Sequence, residues 1–428
     1  MLKRLFFTAF CILMVFSAIG TSALTATPTP TSTPDPLLDE LVAIWDEADS
    51  SDNFDTALEQ YTAIIEANPT SSMAYAYRGR AYSAIQDYAS AIADVETALT
   101  LDENNAVAYF VYGNIYRAFG DLENAVASYN QATQADPLFT IAYINRATVY
   151  RLLNEDELAL ADYNQAIEIE QNYLAYYNRG ILYSDLGFLE DAVADYTQAI
   201  ALNPAHASSY FNRGNAQRQL GNFDQAITDF EKTIEINPTH QRAWTNLGSL
   251  YFELGEYETA IPYFDEAIRI EPYDEIAYYN RGYAYKELGN FEQALADYSQ
   301  AINLDPTFVN TYLNRGTLYR EMGEYELAIA DYTEAITFEP TFLLAYNNRG
   351  IAYAEFGEYE LAIEDYNTVI LLDEFYAPVY INRAISYAYL GQVADAEADL
   401  ATYIELGGKI DEQNEAFFTA LGITLPKE

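Results

Sequence analysis

The 428-residue chain has one cysteine, Cys11, and two histidines, His206 and His240. This excludes a disulfide framework and zinc centres built from Cys and His. Both histidines stand in turns between helical segments, where solvated loop residues are expected. Bases are scarce as well: 21 Lys and Arg stand against 65 Asp and Glu, a net charge of −44. So acidic a chain is repelled by nucleic-acid backbones and anionic lipid surfaces, and no nucleic-acid partner is expected. The carboxylates suit solubility, cationic partners or loosely held divalent ions, but none of their clusters has EF-hand spacing. P-loop and nucleophile-elbow motifs are missing too. No catalytic residue, cofactor or dedicated metal site is therefore expected, and the chain is read as not an enzyme.

Long apolar runs are confined to Leu5 to Ile19, 15 residues that follow Lys3 and Arg4. That is shorter than the roughly 20 residues of a membrane-spanning helix. Small residues at Thr21-Ser22-Ala23 and Leu24-Thr25-Ala26 offer cleavage sites, so residues 1–26 read as a secretory signal peptide. Cys11 follows Phe10 inside the run rather than standing at a cleavage point, which argues against a lipid anchor. Residues 27–37 are rich in Thr and Pro and read as an extended linker. The expected localisation is outside the cytoplasm, in the periplasm, at the cell surface or extracellular, with no stable membrane insertion after signal cleavage.

What the chain has in quantity is tyrosine, 40 residues of it, and much of it is periodic. Ala-Tyr or a close variant returns every 34 residues, with one spacing of 33, at Tyr75, Tyr109, Tyr143, Tyr176, Tyr210, Trp244, Tyr278, Tyr312, Tyr346 and Tyr380. The surrounding skeleton is complete in Trp244, Leu247, Gly248, Tyr251, Ala260, Phe264, Ala267 and Pro272. The small residue at Gly248 suits a close helix crossing. Gly255, seven residues on, suits a left-handed helix cap. Pro272 suits the end of a second helix.

This skeleton resembles the tetratricopeptide repeat, a helix-turn-helix unit of 34 residues, and the Asn-Arg-Gly runs are of a kind frequent in bacterial, exported members. The resemblance implies an all-α fold: a right-handed superhelical solenoid of ten to eleven units. A degenerate unit falls at 38–71, ten units at 72–410, and a C-terminal capping helix and tail at 411–428, where Phe417, Phe418 and Leu421 recur at helical spacing. The family commonly binds peptide segments in the concave groove lined by first helices.

Comparing the copies exposes a pairing. Arg precedes the first-helix small residue at Arg78, Arg146, Arg179, Arg213, Arg281, Arg315, Arg349 and Arg383. Sixteen residues later stand Asp94, Asp162, Asp195, Asp229, Asp297, Asp331, Asp365 and Asp399. The two units without the Arg carry Tyr112 and Leu247, and these also lack the Asp, with Ser128 and Tyr263. Each Arg is therefore expected to form a structural ion pair with the Asp of its own unit.

One residue before the Arg position, Asn recurs at Asn145, Asn178, Asn212, Asn246, Asn280, Asn314, Asn348 and Asn382. In the repeat domain of O-linked N-acetylglucosamine transferases, which these repeats resemble, Asn at the matching position forms a ladder along the groove. An amide donates and accepts at once, so such a ladder can hold a peptide backbone; its other use is to bond adjacent first helices together. Seven of the remaining bases, Arg80, Arg117, Arg151, Arg218, Arg242, Lys286 and Arg320, fall at first-helix places expected to face the groove. Phe110, Ile144, Tyr177, Phe211, Tyr279 and Leu313 are expected to line it one turn away. That mixture suits a peptide with acidic character and apolar anchors, unless Asp185, Glu253, Glu287, Glu321 and Glu355 neutralise the bases. The carboxylate clamp of some co-chaperone repeats does not match, since it needs Lys where Phe110 and Phe211 stand.

Two functions fit. One is a non-enzymatic protein–protein interaction scaffold that binds a peptide segment of a partner in the groove. The other is an acidic structural or cation-binding cell-surface component that self-associates.

Overall fold

The structure, a computed structural model, describes residues 36–426, so the expected signal peptide and almost all of the Thr/Pro linker lie outside it. All regular structure among the described residues is helical: 23 helices, the first 22 in consecutive pairs. A leading pair, Pro36–Ser51 and Phe54–Ala67, precedes ten units, the first of which pairs Ser72–Ala84 with Tyr88–Leu101 and the tenth Ala377–Tyr389 with Val393–Glu405. No described helix is long and apolar enough to cross a membrane.

The chain divides into two compact bodies, one ending at Asp229 and the other beginning at Phe230. Within each body the same three contacts repeat, as in unit 7, where Glu275–Glu287 packs on its second helix, Phe291–Leu304. That second helix packs in turn on Val309–Glu321, the first helix of unit 8, and the two first helices also touch each other. Successive first helices thus share one face.

In eight of the ten units a large ring stands sixteen residues after the small residue and fills the pair's interior, with Val95 and Leu400 in that place in the first and tenth units. Tyr129, Tyr163 and Tyr196 in the first body, and Phe264, Tyr298, Tyr332 and Tyr366 in the second, are all but fully buried. Each such ring contributes about 1.5–3 kcal/mol by leaving water. Gly350 shows why its place is small: a Cβ there would sit 2.6 Å from the Tyr366 ring. First helices end on a left-handed residue, Gly357 at φ +94° for example, while Gln86 and Asn154 take the same conformation where Gly is missing.

The cap closes the second body. Phe418 of helix Glu412–Ala420 is fully buried against Ala384, Ala388, Ala396 and Leu400. Leu421, expected on the same face, is instead exposed, because the helix stops at Ala420 and Gly422 turns the chain at φ +75°. Ile423 is buried in its place.

Candidate peptide-binding face

Each of the eight arginines faces its Asp with a forked contact. Nε donates to one carboxylate oxygen and Nη2 to the other, at 2.6–2.9 Å, in Arg78–Asp94, Arg146–Asp162, Arg179–Asp195, Arg213–Asp229, Arg281–Asp297, Arg315–Asp331, Arg349–Asp365 and Arg383–Asp399. Planar forks of this kind are the strong charge-assisted hydrogen bonds. Burial pushes the carboxyls of Asp297, Asp331, Asp365 and Asp399 up, and the guanidinium against each opposes that shift. Tyrosines flank the cation: Tyr346 and Tyr353 lie 5.5 and 5.9 Å from the Arg349 guanidinium.

The third arm of every fork leaves the unit, a contact the repeat comparison had not revealed. Nη1 donates to the second helix of the preceding unit, at Thr62, Asn130, Asn164, Thr197, Asp265, Ser299, Thr333 and Asn367 in turn. One guanidinium therefore ties three helices. The signal was present sixteen residues before seven of the arginines and fifteen before Arg179, where a short acceptor always stands. At the corresponding place before Tyr112 and Leu247, which replace the Arg, the residue is Glu96 or Glu231.

All eight asparagines of the row are half-buried. Five of them donate Nδ2 to the first helix of the preceding unit: Asn145 to Asn114 Oδ1 at 2.9 Å, Asn212 to Tyr177 Oη at 3.3 Å, and Asn280 to Ser249 Oγ at 3.3 Å. Asn314 donates to Tyr279 Oη at 2.8 Å and Asn382 to Asn347 Oδ1 at 3.3 Å. Asn348 accepts from its neighbour Asn347, and Asn178 and Asn246 sit at the matching places on Tyr173–Asp185 and Gln241–Glu253. Five of the row are thus rungs between first helices, and in Asn212, Asn280, Asn314 and Asn382 an Oδ1 and a second amide hydrogen stand beyond the bond each donates.

Three of the bases are held by carboxylates that the sequence set against them. Arg151 Nη1 reaches Asp185 at 3.1 Å, Arg320 Nη1 reaches Glu355 at 2.7 Å, and Lys286 Nζ lies 3.3 Å from Glu287. The first two pairs join first helices of successive units, so stacking neutralises Arg151 and Arg320. Arg80 is buried, its guanidinium 3.6 Å from the ring centroid of Trp45 in the leading pair. Arg117 and Arg218 are half-buried on their first helices and Arg242 is exposed.

Two of the apolar groups expected to line the face do not. Phe110 is 3% exposed and packs 5.2 Å from Phe139, and Ile144 is 2% exposed. Tyr177, Phe211, Tyr279 and Leu313 are half-buried.

The histidines stand in turns as expected but are half-buried rather than solvated. His206 and His240 begin the helices Ala207–Gln219 and Gln241–Glu253, and His240 Nδ1 accepts from the Ala243 N–H at 3.2 Å. His206 Nδ1 lies 2.8 Å from Ser209 Oγ, its ring edge-on to Tyr177 at 4.7 Å. Burial pushes both imidazoles down.

Families described as tetratricopeptide repeat match residues 44–106, 177–239 and 211–275, then 276–308, 298–330, and 106–137, 141–173 and 343–376. A further TPR repeat family matches 316–357. Similar solved structures include MamA, 27% identical over 40% of this chain and 94% of its own, with a TM-score of 0.38. YrrB, described as a TPR protein with an unusual peptide-binding site, is 26% identical over 43% of this chain and 95% of its own, at 0.39. A tetratricopeptide repeat protein from Parabacteroides merdae is 22% identical over 59% of this chain and 100% of its own, at 0.44. No curated protein matches. With repeat matches running from residue 44 to residue 376 with only short breaks, on helices paired throughout, the chain belongs to the tetratricopeptide repeat family.

Proposed function

We propose that this chain is an exported, non-enzymatic interaction scaffold that holds a peptide segment of a partner protein on the first-helix face of its repeats. The tetratricopeptide repeat fold supports protein-interaction scaffolding in general. The observation that carries the finer reading is the Asn row. Asn212, Asn280, Asn314 and Asn382 are half-exposed, and each is held by the bond it donates to the preceding first helix. Because each amide is already positioned, less freedom is lost when its remaining donor and acceptor meet a peptide backbone. Such contacts recur with the repeat and select an extended segment rather than particular side chains.

Pairing of Arg151, Lys286 and Arg320 with carboxylates takes away three of the bases that pointed to an acidic ligand. The net charge of −44 steers basic segments instead. Export rests on the composition of residues 1–26.

Display of random linear peptides against residues 36–426 tests the reading. A selected peptide should bind Asn280→Ala/Asn314→Ala at least tenfold more weakly than wild type, with the variant's folding checked by circular dichroism. Undiminished binding would count against the row. Calcium-dependent self-association without peptide binding would favour the acidic structural component.

A further inference from the structure

Seven of the eight units with the Arg–Asp pair carry Tyr four residues after the Arg: Tyr82, Tyr150, Tyr183, Tyr285, Tyr319, Tyr353 and Tyr387. The phenol lies beside the guanidinium carbon, at 5.7 Å for Tyr183, 5.9 Å for Tyr319 and 5.6 Å for Tyr387. Unit 5 is the exception, with Gln217 at that place. Arg213 keeps the other flanking ring, Tyr210 at 5.7 Å, but has none on the Gln217 side.

The space is open. A pocket of ≈ 390 Å³ is lined by Arg213, Gln217, Asp224, Gln225, Thr228 and Asp229, all within the first body. It is a shallow depression, with Asp224, Gln225 and Thr228 exposed around it. Asp229 takes Nε and Nη2 in the guanidinium plane, and Thr197 takes Nη1. What the cation still offers is its π-face, which attracts aromatic rings. The carboxylates of Asp224 and Asp229 disfavour an anion. Gln217 Oε1 accepts from Asn222 Nδ2 at 2.8 Å, which leaves the Gln217 amide hydrogens as donors and Asp224 as an acceptor for a hydroxyl. A phenol meets all of these groups.

We propose that unit 5 carries an aromatic side-chain pocket, in which a tyrosine ring of a partner protein takes the place over Arg213 that the chain's own tyrosines take over the arginine in six of the other paired units. The occupant is read from an internal template, six times repeated in one chain. The pocket does not depend on the Asn row, so either reading can fail alone.

The probe is N-acetyl-L-tyrosinamide, with N-acetyl-L-leucinamide as control, titrated into residues 36–426 and followed by saturation-transfer NMR. Ring protons of the tyrosinamide should receive saturation and the leucinamide should not. Gln217→Tyr fills the pocket with the residue the other paired units carry and should weaken binding at least tenfold without lowering the melting temperature. Gln225→Trp, at an exposed rim position, fills it from outside and should do the same. Absence of ring saturation in the wild type, or binding that survives in either folded variant, would overturn the proposal.

Discussion

Arg281 grips Asp297 through two hydrogen bonds, Nε to Oδ2 at 2.8 Å and Nη2 to Oδ1 at 2.7 Å. The Asp297 side chain is only 8% exposed, so removing the Arg strands a buried carboxylate. Arg281→Ala is expected to cost about 3–5 kcal/mol. Arg281→Leu combined with Asp297→Tyr copies Leu247 and Tyr263 of unit 6, where Tyr263 stacks on Tyr251 at 5.4 Å, and should recover most of the loss. Denaturant unfolding of the three proteins decides it. Equal stability of the single and double variants would mean the two residues do not act as a pair.

The inter-unit arm is testable on its own. Thr333 Oγ1 accepts from Arg349 Nη1 at 2.9 Å while donating to the Ile329 carbonyl at 2.7 Å. Thr333→Val keeps the shape and removes the acceptor, for an expected loss of about 0.5–1.5 kcal/mol. Thr368, which donates to the Glu364 carbonyl at 3.1 Å, provides the comparison. Thr368→Val should cost less, and an equal cost for the two would show that the third arm adds nothing.

Protonation of His206 should oppose folding. Burial holds its imidazole below the ordinary 6.5, despite the chain's acidic charge. Between the folded and unfolded pKa values the unfolded chain binds a proton that the folded one refuses, so stability falls as pH drops below about 6.5. An NMR titration should place the His206 midpoint below 6.5. His206→Gln should lose less stability than wild type between about pH 7.5 and 5.5. A midpoint above 6.5 would contradict the burial argument.

The repeating skeleton was legible because a 34-residue period repeats the same packing demand, large ring against small residue, in unit after unit. The Arg–Asp pairing was legible because Tyr112 with Ser128, and Leu247 with Tyr263, vary together within one chain. The inter-unit arm, at Thr62 to Asn367, has the same kind of signature, since its acceptor stands in the unit before the Arg and is Glu96 or Glu231 where the Arg is missing. The pairing of Arg151 with Asp185 and of Arg320 with Glu355 depends on which helical faces meet across a unit boundary, which periodicity alone does not specify. Phe110 was placed on the outer face by its register, yet Phe139, in the turn that follows its unit, draws it inward.

Peptide binding on the first-helix face is the central claim, and the side-chain amides of asparagine report on it directly. With Asn-selective ¹⁵N labelling, a bound peptide should shift the Nδ2 resonances of Asn280, Asn314 and Asn382. Those of Asn130, Asn164 and Asn367, which hold the arginine arms from second helices, should stay in place. Saturable binding that shifts the second group and leaves the first unmoved would contradict the account.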